Sequence, residues 1–139
     1  MSITATDAAI HIVNFCIDEN QPISNLQLQK ILYFCQVESY RTRGKRLFDD
    51  DFEAWRYGPV IPVVYRLFSI FGGLKIKHRV VETARLSFDE SRLVERVARD
   101  LRRLHPWELV GKTHSKGSPW DLTNSGCTIP KDLIAQSAR

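Results

Sequence analysis

Phe52-Glu53-Ala54-Trp55-Arg56-Tyr57-Gly58-Pro59-Val60-Ile61-Pro62 interrupts a chain that is otherwise patterned for helices. It holds two large aromatics, a Gly-Pro break and a second proline three residues later. Proline in a helix interior removes a hydrogen bond and clashes with the preceding turn, and in a central strand it removes a ladder donor. The segment therefore reads as a bend. A bend flanked by Trp and Tyr either builds a corner of the core or presents a recognition surface. Composition and periodicity leave both readings open.

Upstream of the bend the pattern is helical. Ser24 and Gln27 form a capping box, with Ile23 and Leu28 at the two positions of a hydrophobic staple. The helix they open carries Leu28, Ile31, Leu32 and Cys35 and runs to Gly44, a natural left-handed stop. Before it, residues 4–19 place Ala8, Ala9, Ile12, Val13 and Cys16 on one stripe, with Thr4 at the cap position. Lys45 to Asp51 is a loop whose basic residues give way to three aspartates.

Downstream, Pro62 suits the first turn of a third helix, with Val63, Val64, Leu67, Phe68 and Phe71 facing inward and Gly72-Gly73 ending it. In residues 74–86, Ile76, His78 and Val80 alternate with charged residues, which fits a short strand or an extended loop. Ser87 and Glu90 cap a fourth helix with Leu93, Val94, Val97, Ala98, Leu101 and Leu104 on one side. Pro106, Pro119 and Pro130 each open a short helical segment. The expected fold is mainly α, a single compact multi-helix domain over residues 1–139, with a short extended or strand segment around residues 74–86.

At 139 residues, 43% hydrophobic and 26% charged, the chain has the balance of an ordinary globular domain with a real core. The longest apolar run, Ile31 to Val37, is broken by Gln36, so no membrane partner is expected. The N-terminus lacks a basic region followed by an apolar stretch, and so shows no signal peptide. Cys16, Cys35 and Cys127 are isolated and odd in number, which favours the cytoplasm. The net charge of +4 favours an acidic partner without demanding one, and nucleic acid is not the expected partner.

The candidate chemistry is sparse. No two of His11, His78, His105 and His114 are spaced i, i+4, and there is no Cys-x-x-Cys, so no metal site and no cofactor are expected. His114, Ser118 and Asp121 lie close in sequence, but a triad is defined by geometry, and no nucleophile elbow is present. The plainer reading is a turn in which Ser118 caps a helix begun by Pro119 and His114 bonds to nearby backbone. The chain is therefore not expected to be an enzyme. Arg92, Arg96, Arg99 and Arg103 share a helix face that would meet an acidic partner or simply face solvent. Trp55, Tyr57, Trp107 and Trp120 sit beside proline or glycine, where they serve either as interface anchors or as core filler.

Leu28-Gln29-Lys30-Ile31-Leu32-Tyr33-Phe34, then Glu53-Ala54-Trp55-Arg56-Tyr57-Gly58-Pro59-Val60, then Thr113-His114, then Ser118-Pro119-Trp120 resemble the successive signatures of the Panacea domain. This is the SocA-like antitoxin family, which also includes phage-associated GepA-type proteins. The resemblance covers roughly residues 5–137. It implies a helical domain that acts as an antitoxin, neutralising a cognate toxin protein by direct contact and without catalysis. One branch of the family acts as an adaptor that delivers the toxin to a protease chaperone. Some members add a DNA-binding domain, which is not expected within residues 1–139 because the motifs already fill them. The positions that match are Lys30, Tyr33, Trp55, Tyr57, Gly58, Pro59, His114, Pro119 and Trp120. Toxins in the family are diverse, so the shared residues are expected to hold the scaffold. The Arg92–Arg103 face and the 45–51 loop are then the expected places of partner choice.

Overall fold

In the computed structural model, which describes residues 3–82 and 84–139, the chain is mainly α. Two long helices come first, α1 (Ala5–Asp18) and α2 (Asn25–Arg43). A hairpin follows, β1 (Glu53–Trp55) and β2 (Gly58–Val60), then α3 (Pro62–Leu67) and a short 3-10 turn at Ser69–Phe71. The remaining helices are α4 (Phe88–Leu101), α5 (Pro106–Thr113) and α6 (Lys131–Ser137).

The helix starts follow from local chemistry. Thr4, Ser24 and Ser87 each accept a hydrogen bond from the backbone three residues on, and Asp7, Gln27 and Glu90 return it. Gly44 ends α2 in the left-handed region at φ 69°, as its position predicts. Helix α2 is the centre of the molecule: α1, α4, α5, α6 and the hairpin all pack on it. That explains why its apolar stripe is weak in sequence yet nearly every face is covered. Asn25, Gln27, Gln29, Lys30, Gln36 and Ser39 are buried along with Leu28, Ile31 and Leu32.

Buried polar groups need partners, and these have them. Gln36 accepts from Leu47 N at 2.8 Å and donates to Phe48 O at 2.9 Å, pinning the loop after α2. Gln29 accepts from Ile61 N at 3.0 Å, and Asn25 donates to Tyr65 O at 3.0 Å. Cys16 and Cys35 are buried free thiols, while Cys127 is exposed. Burial pushes the Cys16 and Cys35 thiols up in pKa.

Several expectations change. The bend is a two-stranded hairpin, with Glu53 opposite Val60 and Trp55 opposite Gly58. Pro59 fits because β2 lies at an edge. Residues 126–129 run along the other side of β1, where Ala54 donates to Cys127 O and Ile129 to Phe52 O. Residues 74–82 run as a loop with one bridge, Lys75 to Ser24, and touch the core through Ile76, which donates to Ile23 O; Thr83 of the expected 74–86 segment lies outside the described residues. Helix α3 is only six residues long: Val64 within it and Phe68 at its C-terminal cap are buried, Phe71 beyond it is half-buried, and Val63 and Leu67 are exposed. Pro119 opens turns and no helix. Among the described residues no helix is long and apolar enough to cross a membrane.

Candidate functional site

Lys30 of α2 and Thr113, the last residue of α5, converge on Gly58 of the hairpin. Its φ of 112° is available to glycine and strained for other residues. A Cβ there would stand 2.6 Å from Thr113 Oγ1 and 2.8 Å from Lys30 Cε. Glycine is therefore required by both backbone conformation and space.

Lys30 is fully buried, and its Nζ donates to Pro59 O at 3.0 Å. The described residues place no carboxylate in an ion pair with it. Desolvation lowers its pKa from 10.5 to about 7. His114 lies close enough for this charge to act on it. Burial first, and then Lys30, hold its pKa below the ordinary imidazole value. The His114 ring stacks on Trp120 at 3.6 Å and 7°, and its Nε2 is buried without a hydrogen-bond partner among the described residues. The expected bond from His114 side chain to nearby backbone is therefore replaced by stacking. Trp120 Nε1 donates to Trp55 O at 2.7 Å, which ties the C-terminal turns to the hairpin.

The nine motif positions divide by burial. Lys30, Tyr33, Gly58, Pro59 and Pro119 are buried, and Trp55, His114 and Trp120 are half-buried. Tyr33 stands apart from the Gly58 cluster, edge-on to Phe34 and Phe52, with burial pushing its phenol up to about 12. Tyr57 is exposed and meets Trp107 edge-to-face at 5.2 Å. Trp55 makes a second such pair with Tyr65 at 5.1 Å. The two pairs, with Leu26, Pro106 and Arg56, line a pocket of about 430 Å³ whose lining also includes Lys30.

His114, Ser118 and Asp121 do not assemble as a triad. Ser118 Oγ donates to Thr113 O at 2.8 Å and accepts from the Asp121 backbone at 3.2 Å. The Asp121 carboxylate accepts from Gly117 N at 2.9 Å. In this geometry Ser118 and Asp121 organise the local turn, and neither is hydrogen-bonded to His114.

The arginine face is largely engaged with its own scaffold. Arg96 pairs with Glu38 of α2 at 3.0 Å, and Arg99 pairs with Glu19 at 3.3 Å and lies over Phe15. Arg92 lies over Phe88, whereas Arg103 falls in the turn beyond the end of α4, off the expected helix face, and donates to Asp100 O. Arg102, which sequence periodicity did not single out, bridges to Glu19 at 2.6 Å and is more buried than Arg96 or Arg99. The 45–51 loop is likewise tied down: Leu47 and Phe48 are buried, and Asp50 accepts from Ala5 N.

Sequence reasoning singled out Trp55, Tyr57 and Trp107 but not their common pocket, nor Tyr65 and Arg56 as its lining. The signal available was residue type alone, since the lining spans residues 24–107.

Comparison with known proteins follows the same residues. Residues 28–121 match the family described as "Antitoxin SocA-like, Panacea domain". That span contains α2 from Leu28 onward, the hairpin, the pocket lining except Ser24, Asn25 and Leu26, and the His114–Trp120 stack. The chain is 39% identical to "Antitoxin SocA" of Caulobacter vibrioides (strain NA1000 / CB15N), over 76% of its own length and 62% of that relative's. The chain thus spans less than two thirds of the curated relative it matches. No solved structure matches it. With the family's matched region covering most of its helices and all of its hairpin, this chain belongs to the SocA-like, Panacea domain family.

Proposed function

We propose that this chain is a cytoplasmic antitoxin that neutralises a cognate toxin by direct protein–protein binding, without catalysis. Family membership and the likeness to a protein named Antitoxin SocA support the reading. The observation that carries it is the exposed aromatic cluster. Trp107 and Tyr57 are 55% and 42% exposed, yet each is held by a neighbouring ring around a preformed pocket. Interface hot spots concentrate in Trp, Tyr and Arg, and Trp55, Tyr57, Tyr65, Trp107 and Arg56 meet at one mouth. Inhibition by occlusion requires only such an anchor and about 1,200–2,000 Å² of total buried surface.

The test is coexpression with the product of the adjacent gene. The proposal expects that product to arrest growth alone, to be silenced by this chain, and to copurify with it. Its half-life should be unchanged, which separates occlusion from delivery to a protease chaperone. A neighbour that is harmless alone and fails to copurify would overturn the reading.

A further inference from the structure

Large aromatics used only as core filler are buried, but Tyr57 and Trp107 face solvent. The edge-to-face pairs Tyr57–Trp107 and Trp55–Tyr65 brace each other, so the pocket exists before anything enters it. Preorganised rings lose little entropy on binding. The apolar surface extends outward. Ile70 is 87% exposed and Leu74 75% exposed, on either side of the Gly72-Gly73 rim. Two such exposed apolar side chains, beside pocket-lining residues in sequence, add surface that a partner can cover.

The charged side chains that line the pocket have one sign: Arg56 is exposed at its mouth and Lys30 is buried in its wall. The neighbouring carboxylates of Glu53 and Glu108 are not in the lining, and each is hydrogen-bonded elsewhere. Glu53 accepts from Trp55 Nε1 at 2.9 Å, and Glu108 accepts from His105 N in the α5 cap. A cation is therefore disfavoured, although aromatic cages elsewhere hold cations. A volume of about 430 Å³ is large enough for one big side chain and too small for a folded element.

We propose that this pocket captures a large apolar side chain, flanked by Asp or Glu, from an exposed segment of a protein partner. The inference rests on the antitoxin reading only for the identity of that partner as the toxin. Arg56 supplies the charge that selects the acidic flank, and the aromatic pairs supply the anchor socket. The partner-facing part of the molecule is then the Tyr57 side of the family motif, while the Arg92–Arg103 face serves mainly as scaffold.

The experiment selects a random dodecapeptide display library on the purified full chain, with Tyr57→Ala/Trp107→Ala as the counter-target. Both substituted residues are exposed, and circular dichroism and the thermal midpoint verify that the fold is kept. Selected peptides should share an aromatic or large aliphatic residue within two positions of Asp or Glu. Their affinity should fall at least about tenfold in the double variant, as for truncated hot spots, and should weaken also in Arg56→Glu.

Peptides that are basic, lack an anchor, bind both targets equally or fail to enrich would overturn the proposal. A homodimer that dissociates in the double variant would do so too, by making a second copy the occupant. Toxin neutralisation is measured separately. Acidic anchored peptides with no toxin silenced would sink the antitoxin reading alone. A double variant that silences toxin as well as wild type would sink the pocket alone.

Discussion

Gly58→Ala puts the close approach at the centre of the motif cluster under direct strain. The new Cβ would lie 2.6 Å from Thr113 Oγ1, 2.8 Å from Lys30 Cε and 3.3 Å from Lys30 Nζ. Neither neighbour is a free end. Thr113 is buried and its hydroxyl donates to Val110 O at 2.8 Å, while Lys30 is held by Pro59 O. Forcing alanine to φ 112° costs about 1–3 kcal/mol. Overpacking adds about 1–3 kcal/mol, for a total of about 2–6 kcal/mol. That is a large share of the roughly 5–15 kcal/mol that holds a typical domain.

Urea unfolding followed by circular dichroism reads the loss as a lower midpoint with an unchanged slope. Gly111→Ala is the control. It lies in α5 with nothing within 4 Å of its Cβ, so the substitution should gain about 0.5–1 kcal/mol from helix propensity. Adding Thr113→Ala to Gly58→Ala removes the nearest clashing atom and should recover at least about 0.5 kcal/mol beyond additivity. A Gly58→Ala protein within about 0.5 kcal/mol of wild type would refute the reasoning.

Lys30→Met should change how stability depends on pH. With a folded pKa of about 7 against 10.5 for the free group, the cost of burying the ammonium is present in full below pH 7. Above that the unfolded chain holds the extra proton, so stability should rise by up to about 1.4 kcal/mol per pH unit as pH climbs towards 10.5. The methionine variant should lose this slope, and parallel wild-type and variant profiles from about pH 7 to pH 9 would contradict it. Trp120→Phe keeps a ring against His114 but leaves Trp55 O without its 2.7 Å donor, and should cost about 1–3 kcal/mol by thermal melting. Unchanged midpoints would show that bond to be immaterial. Arg96→Glu breaks an exposed pair with Glu38, so calorimetry should find a loss of no more than about 1 kcal/mol. Toxin affinity should be nearly unaffected, and a large drop would return partner choice to the arginine face.

The helix starts were legible because their signals are local. The boxes at Thr4, Ser24 and Ser87, and the stop at Gly44, each lie within a few residues of the end they set. The hairpin was hidden because Pro59 argues against a central strand, and β1–β2 is a short edge ribbon completed by the distant 126–129 segment. Burial of Lys30 was hidden for a related reason. Lysine usually lies at the surface, and only the crowding of six elements around α2 makes that position interior. The motif itself was visible in sequence, but not its division. Lys30, Gly58 and Pro59 hold the corner, while Tyr57 turns outward to meet Trp107, fifty residues on. The bend therefore builds a corner of the core on its buried side, and its exposed Tyr57 side is the recognition surface proposed above.

If this chain silences a toxin by holding it through the Tyr57–Trp107 pocket, removing both rings must cost binding and rescue together. The direct measurement is pull-down and growth rescue in cells that coexpress the adjacent gene product with wild-type chain or with Tyr57→Ala/Trp107→Ala. The account predicts a stable complex and rescue with wild type, and loss of both with a double variant that remains folded. Rescue without a complex, or equal rescue by both proteins, would contradict it.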